Sequence, residues 1–266
     1  LAFGIRSIMP VCQVIVDQSA RTGAWNMALD EALLEAAVAE AGTFLRWYQW
    51  DKATLSLGYF QAPDEVLTNP EWGDLPVVRR LSGGGAILHE HELTYSCALP
   101  STHPRTTDPY QLYLDVHGRL IQVLQSHGFD VKLRGTRFGK DGPAEAFLCF
   151  SRGDEMDVVL GAHKVLGSAQ RRRRGAILQH GSLVLRRSVH APQFPGLFDL
   201  AGKEEADTSA LLEEMARSLG EVLGPDQSRG DFSPEIMERA QQLHDERYLA
   251  LAWARGNPLT PKETTQ

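Results

Sequence analysis

Three consecutive glycines constrain this chain more than any other feature. Gly83, Gly84 and Gly85 lie in the stretch Arg79-Arg80-Leu81-Ser82-Gly83-Gly84-Gly85-Ala86-Ile87-Leu88-His89, with the apolar run Leu75 to Val78 leading into it. Glycine reaches backbone conformations closed to other residues and puts no side chain in the way. Three in a row between two strand-like segments require the backbone itself to approach something closely. That something is another part of the fold or a ligand. A glycine-rich hairpin turn accounts for the glycines alone about as well as a ligand loop does. The flanking Arg79-Arg80 pair, Ser82 and His89 tip the balance toward a ligand.

The chain has 266 residues, 42% hydrophobic and 23% charged. That suffices for a real core, in one large domain or two small ones. A formal net charge of −7 leaves no global basic surface for nucleic acid. The basic residues cluster locally instead, at Arg171 to Arg174. No stretch approaches the ~18 consecutive apolar residues of a membrane span. Leu1 to Pro10 lacks the apolar core of a secretory signal, and Met9 is a candidate natural start. Cys12, Cys97 and Cys149 are few, odd in number and far apart. They argue against a disulfide framework and for a cytoplasmic location. No pair has metal-ligand spacing, so no metal site is expected.

Strands are expected at Val14 to Asp17, Val77 to Arg80, Ala86 to His89, Leu93 to Leu99 and Phe129 to Leu133. Thr43 to Trp50 and Thr54 to Phe60 read as a strand pair closed by a tight turn. Asp157 to Leu160, His163 to Leu166 and Ala176 to Leu185 complete the set, the first two joined by Gly161-Ala162. Helical spacing of apolar residues marks Asn26 to Ala39, Pro109 to His127, Asp207 to Leu223 and Pro234 to Ala252. Pro109 suits a first helical turn and Gly128 a stop. Gly135 to Gly142 reads as a polar loop. Strands in pairs with interspersed helices predict an α/β (α+β) fold with a mixed, largely antiparallel sheet and flanking helices. Residues 1–200 form the expected main unit, and 201–266 a short helical extension packed on it.

Two residues carry the clearest chemistry. Cys149 follows Ala146-Phe147-Leu148, and a cysteine in an apolar run is usually an inert core residue. Cys97, in Tyr95-Ser96-Cys97-Ala98-Leu99, shares that context and serves as its control. Lys164 falls beside the Gly161-Ala162 turn, either as a solvated lysine or as a cation that holds a thiolate or polarises a carbonyl. The small residues Gly167-Ser168-Ala169 would let an extended ligand pass close to the backbone. Gln179-His180-Gly181-Ser182 interrupts an apolar strand, and a buried Gln or His there must find partners. Arg171 to Arg174 reads as a solvated hairpin tip or as a docking site for an acidic partner.

Taken in order, these segments resemble the lipoate–protein ligase, octanoyltransferase and biotin-ligase superfamily. The resemblance is carried by Asn26-Met27-Ala28-Leu29-Asp30-Glu31-Ala32-Leu33, Ala53 to Gln61, Arg79 to His89, Glu92 to Ser96, Lys164 to Gln170 and Gln179 to Leu183. A cysteine ahead of the lysine, in Cys149-Phe150, is similar to the LipM-type octanoyltransferases. The resemblance implies the catalytic-domain fold of that superfamily, with Cys149 as acyl-thioester nucleophile and Lys164 favouring its thiolate. It further implies a substrate site drawn from Arg80, Ser82, Gly83, Gly84, Gly85, His89, Gly167, Ser168, Ala169, Gln170, His180 and Gly181. The implied donor is octanoyl-acyl-carrier protein. The implied acceptor is a lysine of a lipoyl domain or of the glycine-cleavage H protein. No cofactor is implied. Leu81, Ile87, Leu88, Tyr95 and Ala169 are candidate lining for the acyl tunnel. An ATP-dependent lipoate ligase, an octanoyl amidotransferase and a non-catalytic acyl-chain or lipoyl-domain binding protein are the alternatives. Cys149 argues against the ligase and the binding protein.

Overall fold

The computed structural model describes residues 11–63, 72, 74–136, 148–151, 153–204, 208–250 and 253. Leu1 to Pro10, most of the Gly135 to Gly142 loop, the Ala146-Phe147 pair and the last residues of the expected C-terminal helix lie outside the described residues.

In chain order the elements are β1 (Cys12–Val16), α1 (Gly23–Val38), β2 (Thr43–Tyr48), β3 (Thr54–Leu57), β4 (Val77–Arg79), β5 (Ile87–His89), β6 (Glu92–Leu99), α2 (Pro109–Ser126) and β7 (Val131–Leu133). Then come β8 (Val158–Leu160), β9 (His163–Arg173), β10 (Ala176–Val184), α3 (Leu197–Ala201), α4 (Thr208–Leu223), β11 (Gln227–Arg229) and α5 (Pro234–Leu243). Eight strands form one sheet in the order β11-β1-β2-β6-β10-β9-β8-β7. β1 runs parallel to both β2 and β11, and every other pairing in this sheet is antiparallel. A second sheet has the order β4-β3-β5. The fold is the expected mixed, mostly antiparallel sheet with flanking helices.

The helices start where their caps dictate. Thr22 accepts the Trp25 N–H at the head of α1, and Asp108 accepts those of Tyr110 and Gln111 ahead of Pro109 in α2. Gly128, at φ 79°, follows the α2 C-terminus. Leu112, Val116, Leu120, Val123 and Leu124 bury the expected face of α2 in a core that also takes in α4, Leu45, Trp47 and Tyr95. A second core packs α1 and α5 with Phe44, Tyr48, Ala98 and Leu178. Neighbours on β2 thus point into opposite cores, which is why its sequence shows no polar alternation.

The second core contains a charge. Arg46 is fully buried, and its guanidinium donates to Asp17 at 2.6 Å, to Asp30 at 3.1 Å and to the Asn26 side-chain oxygen at 2.7 Å. It also lies over the Tyr48 ring, 3.9 Å from its centroid. Burial raises the Asp30 pKa, but the His180 hydrogen bond and the Arg46 charge outweigh it and hold the carboxyl below its ordinary value.

Three expectations are corrected. β2 and β3 do not pair with each other: β2 joins the large sheet and β3 the small one. β4 and β5 do not form a hairpin around the glycines, because β3 lies between them. β9 runs on to Arg173, so the arginine run is mostly strand. Arg173 pairs with Glu31 at 3.0 Å and Glu35 at 3.3 Å, and the Arg171 guanidinium lies over the Tyr59 ring. The three-residue β11, which extends the large sheet, gave no signal in its polar sequence Gln227-Ser228-Arg229.

Arg46→Met removes the buried cation between Asp17 and Asp30, leaving Asp17 only its partly exposed partner Arg21 and Asp30 only its hydrogen bonds from Tyr48, Ser96 and His180. The expected cost is about 3–5 kcal/mol of stability. Denaturant unfolding should show a lower midpoint at an unchanged m-value.

Candidate active site

The glycine loop is shaped by the arginine ahead of it. Arg80 is buried, donating through Nη1 to the Ser56 carbonyl and through Nη2 to the carbonyls of Gly83 and Gly85, each at 2.7 Å. Arg79 donates to the carbonyls of Gly58 at 2.8 Å, Tyr59 at 3.1 Å and Gln61 at 2.8 Å. The loop lies so close to Gly58 that a Cβ there would stand 2.0 Å from the Gly84 carbonyl oxygen. Gly84 itself has φ +95°, and a Cβ on it would lie 3.9 Å from Cys149 Sγ. The close approach implied by three glycines is therefore met by the fold at Gly58, while Gly84, held at a positive φ that favours glycine, faces the thiol.

Cys149 opens a single helical turn, Cys149–Ser151. Its N–H donates to the Ala86 carbonyl at 2.7 Å, which ties the cysteine to the residue just past the glycines. Lys164 Nζ lies 4.0 Å from Cys149 Sγ and 2.8 Å from Asp157 Oδ1. Only 6% of the lysine side chain is exposed, so it is not a solvated turn lysine. Gly167 makes room for it: a Cβ there would stand 2.3 Å from Lys164 Cε. Asp157 is held in turn by the Asp154 N–H at 2.8 Å.

β8 pairs only with residues 163–166 of β9. From Gly167 onward the outer edge of β9 has no strand partner among the described residues. Two cavities meet along that edge. The inner one, about 310 Å³, reaches between the sheets to Met27, Tyr48, Trp50 and Ile87. The outer one, about 460 Å³, is bounded by Tyr110, Tyr113, His117, Met156 and Asp157. Cys149, Lys164, Gly84, Tyr113 and Ser168 line both.

The other two cysteines are different. Cys12 and Cys97 are fully buried. Burial pushes the Cys12 thiol up to about 12 and raises that of Cys97 as well. Among the described residues no group of histidine, cysteine and carboxylate side chains could hold a metal ion.

The family model of the lipoyl protein ligase A/B catalytic domain matches residues 22–241. The chain belongs to that family. Among curated relatives, the octanoyltransferase LipM of Kyrpidia tusciae is 35% identical over 87% of this chain and 94% of its own length. That of Oceanobacillus iheyensis is 34% identical over 80% of this chain and 78% of its own. That of Carboxydothermus hydrogenoformans is 38% identical over 65% of each. Solved structures share the fold: a lipoate-protein ligase A bound with ATP (TM-score 0.73, 18% identity, 94% of this chain and 99% of that one), and a bipartite lipoate protein ligase from Thermoplasma acidophilum (TM-score 0.72, 17% identity, 97% and 99%).

In this lipoyl-ligase-family domain the inner cavity gathers Arg80, Gly83, Gly84, His89, Cys149, Lys164, Gly167, Ser168, Ala169, Gln170, His180 and Gly181, and Gly85 lines the outer one. Ser82 lies behind the loop, its hydroxyl 2.5 Å from His180 Nε2, while His180 Nδ1 is 3.1 Å from Asp30. It joins the loop to β10 and does not line either cavity. Of the expected tunnel residues, Ile87 and Ala169 line the inner cavity. Leu88 alternates to the opposite face of β5, Leu81 is buried in the α1 core, and Tyr95 presents its hydroxyl to Ser168. Asp157, Trp50, Tyr113 and His117 were not anticipated. Asp157 directly precedes β8, where a polar residue reads as a strand boundary.

Native protein exposed to iodoacetamide should be alkylated at Cys149 alone, with Cys12 and Cys97 labelled only after unfolding. Peptide mass spectrometry reads this directly, and labelling of Cys97 in the folded protein would contradict the burial described.

Proposed function

We propose that this domain is an octanoyltransferase of protein lipoylation that carries its acyl group as a thioester on Cys149. The observation that carries the reading is the Cys149–Lys164 pair, 4.0 Å apart where two cavities meet. The LipM relatives support the same activity. The proposed donor is octanoyl-acyl-carrier protein, and the acceptor is a lysine of a lipoyl domain or of the glycine-cleavage H protein. The reaction needs no metal and no ATP, because exchange between thioesters is nearly isoenergetic and amide formation from a thioester is downhill.

A thiol attacks as its thiolate. A full charge 4 Å away is worth about 4 kcal/mol at an effective dielectric of 20, and the Asp157 carboxylate on the far side of Lys164 offsets part of that. Asp157 therefore acts mainly to hold the ammonium in place beside the sulfur. The thiolate attacks the donor carbonyl, and the oxyanion that forms needs hydrogen-bond donors. Arg80 holds the Gly83 carbonyl, and the N–H on the same peptide plane belongs to Gly84 and points the other way. That N–H, on the residue facing Cys149, is our candidate oxyanion donor. The carrier thiol leaves, and the octanoyl chain occupies the inner cavity against Met27, Trp50 and Ile87. The acceptor lysine then enters by the outer cavity and attacks the acyl-cysteine.

Arg79 and Arg80 serve the loop here. Arg79 donates to the carbonyls of Gly58, Tyr59 and Gln61, and Arg80 to those of Ser56, Gly83 and Gly85, so both shape the site without needing a nucleotide to bind.

Incubation with octanoyl-carrier protein should add one octanoyl group to the wild-type chain and none to Cys149→Ala, as read by intact-protein mass spectrometry. A normal adduct on the variant would sink the assignment. Lys164→Ala should slow iodoacetamide alkylation of Cys149 at neutral pH by about tenfold, the loss expected when a stabilising cation is removed. An unchanged rate would deny Lys164 this role.

A further inference from the structure

His117 lies midway along α2, fully within the protein, and the reaction scheme above does not use it. Its Nδ1 is 2.6 Å from the Met156 carbonyl and its Nε2 is 2.7 Å from the Ser168 hydroxyl. A carbonyl can only accept, so the ring proton sits on Nδ1. Burial, helped by the Lys164 charge, pushes the imidazole pKa down to about 4. The ring is neutral, Nε2 is bare, and the single proton of Ser168 must point to it.

The rest of the chain of hydrogen bonds agrees. The Tyr95 hydroxyl, 2.7 Å from Ser168 Oγ, has to donate, because the serine proton is already committed. Gln179 Nε2 donates to Tyr95 at 2.8 Å. Gln170 Nε2 donates to Gln179 Oε1 at 2.7 Å and to the Pro109 carbonyl at 2.8 Å. Backbone carbonyls at both ends, Pro109 and Met156, thus fix the direction of every bond between them. Gly181 leaves the space this needs: a Cβ there would lie 2.2 Å from Ser168 Oγ and 2.7 Å from Tyr95 Cε1. A hydroxyl has one donor site and two acceptor sites. After His117 and Tyr95, Ser168 keeps one lone pair and no proton to give, and it lines both cavities beside Cys149.

The structure assigns His117 as a positioning residue that turns the Ser168 hydroxyl into a hydrogen-bond acceptor for the attacking amine. This rests on the reading that Cys149 carries the acyl group. In the amine step the N–C bond forms and the C–S bond breaks. The sulfur leaves with the electron pair, and the proton shed by the nitrogen returns to it as the thiol. While the N–C bond forms, positive charge builds on nitrogen, and an N–H donated to Ser168 strengthens. That interaction favours the transition state over the ground state. In the preceding thioester exchange the developing charge is negative and the attacking sulfur has no N–H to offer, so Ser168 contributes nothing.

The test separates the two steps. Enzyme is loaded from octanoyl-pantetheine and mixed with a lipoyl domain in single turnover, each step being followed by mass spectrometry. His117→Asn keeps a partner for Met156 and withdraws the acceptor from Ser168. Loading should stay within about twofold of wild type. Transfer at saturating lipoyl domain should fall by about tenfold, the scale of one charge-assisted hydrogen bond, with the half-saturating concentration unchanged. Ser168→Ala should lose transfer to a similar extent, and His117→Gln, whose amide oxygen can accept from Ser168, should recover most of the transfer rate. Equal losses in loading and transfer for both His117→Asn and Ser168→Ala would overturn the assignment, as would full-rate transfer by Ser168→Ala. A wild-type enzyme that never loads would overturn the acyl-cysteine reading, and this one with it, before any variant is compared.

Discussion

The site depends on one guanidinium. Arg80 takes the carbonyls of Ser56, Gly83 and Gly85, and so fixes a loop that has no side chains to fix itself. Glycine carries the largest backbone entropy cost on folding, and hydrogen bonds to a charged donor, worth roughly 1.5–3 kcal/mol each, are the means of offsetting it. The loop needs glycine because of what it must approach. Gly58 and Gly84 meet backbone to backbone, and Gly84 faces the Cys149 sulfur. A side chain at Gly58 would displace the loop from β3, and one at Gly84 would be strained at φ +95° and would crowd the Arg80 guanidinium, 3.1 Å from its Cβ.

Sheet topology supplies the second constraint. β8 stops pairing with β9 at Leu166, and the small sheet stands over the α1 side of the large one. The uncovered edge of β9 is therefore where space from both faces of the large sheet can join. Lys164 comes from the paired part of β9, Ser168 from the uncovered part, and Cys149 from a turn bonded to Ala86. Three separated segments converge because each is fastened to a strand, which gives the precision that loops alone would lack.

Much of this was legible in the sequence. The apolar spacing of α2, Pro109 at its first turn, Gly128 past its end and the short β-branched strands each declared an element through local physics. The gathering of Gly84, Cys149, Lys164 and His180 was suggested by resemblance and by residue type, since no spacing rule links position 84 to position 149. What stayed hidden was pairing. Thr43 to Trp50 followed by a short polar turn looks like a hairpin, yet β2 and β3 enter different sheets because their buried faces are claimed by different cores. Asp157 was hidden for a related reason. An acid beside a strand reads as a boundary until the strand next to it delivers a lysine at 2.8 Å. β11 was hidden because Gln227-Ser228-Arg229 has no apolar pattern, its pairing being only with the edge of β1.

The two halves of an acyl transfer through cysteine place opposite electrostatic demands on one carbon atom. Attack by a thiolate builds negative charge on the carbonyl oxygen, and attack by an amine also builds positive charge on nitrogen. A site lined by donors alone would serve the first and oppose the second. Here the partners lie on different walls. The glycine loop presents N–H groups because Arg80 has claimed its carbonyls. Across the junction, Ser168 presents a lone pair because His117 has claimed its proton. In each case a buried residue that does not react decides which pole of its neighbour is turned toward the reacting atoms. Between the walls, Asp157 holds Lys164 beside the sulfur, so the cation that favours the thiolate in the first step stays in place when the sulfur leaves in the second.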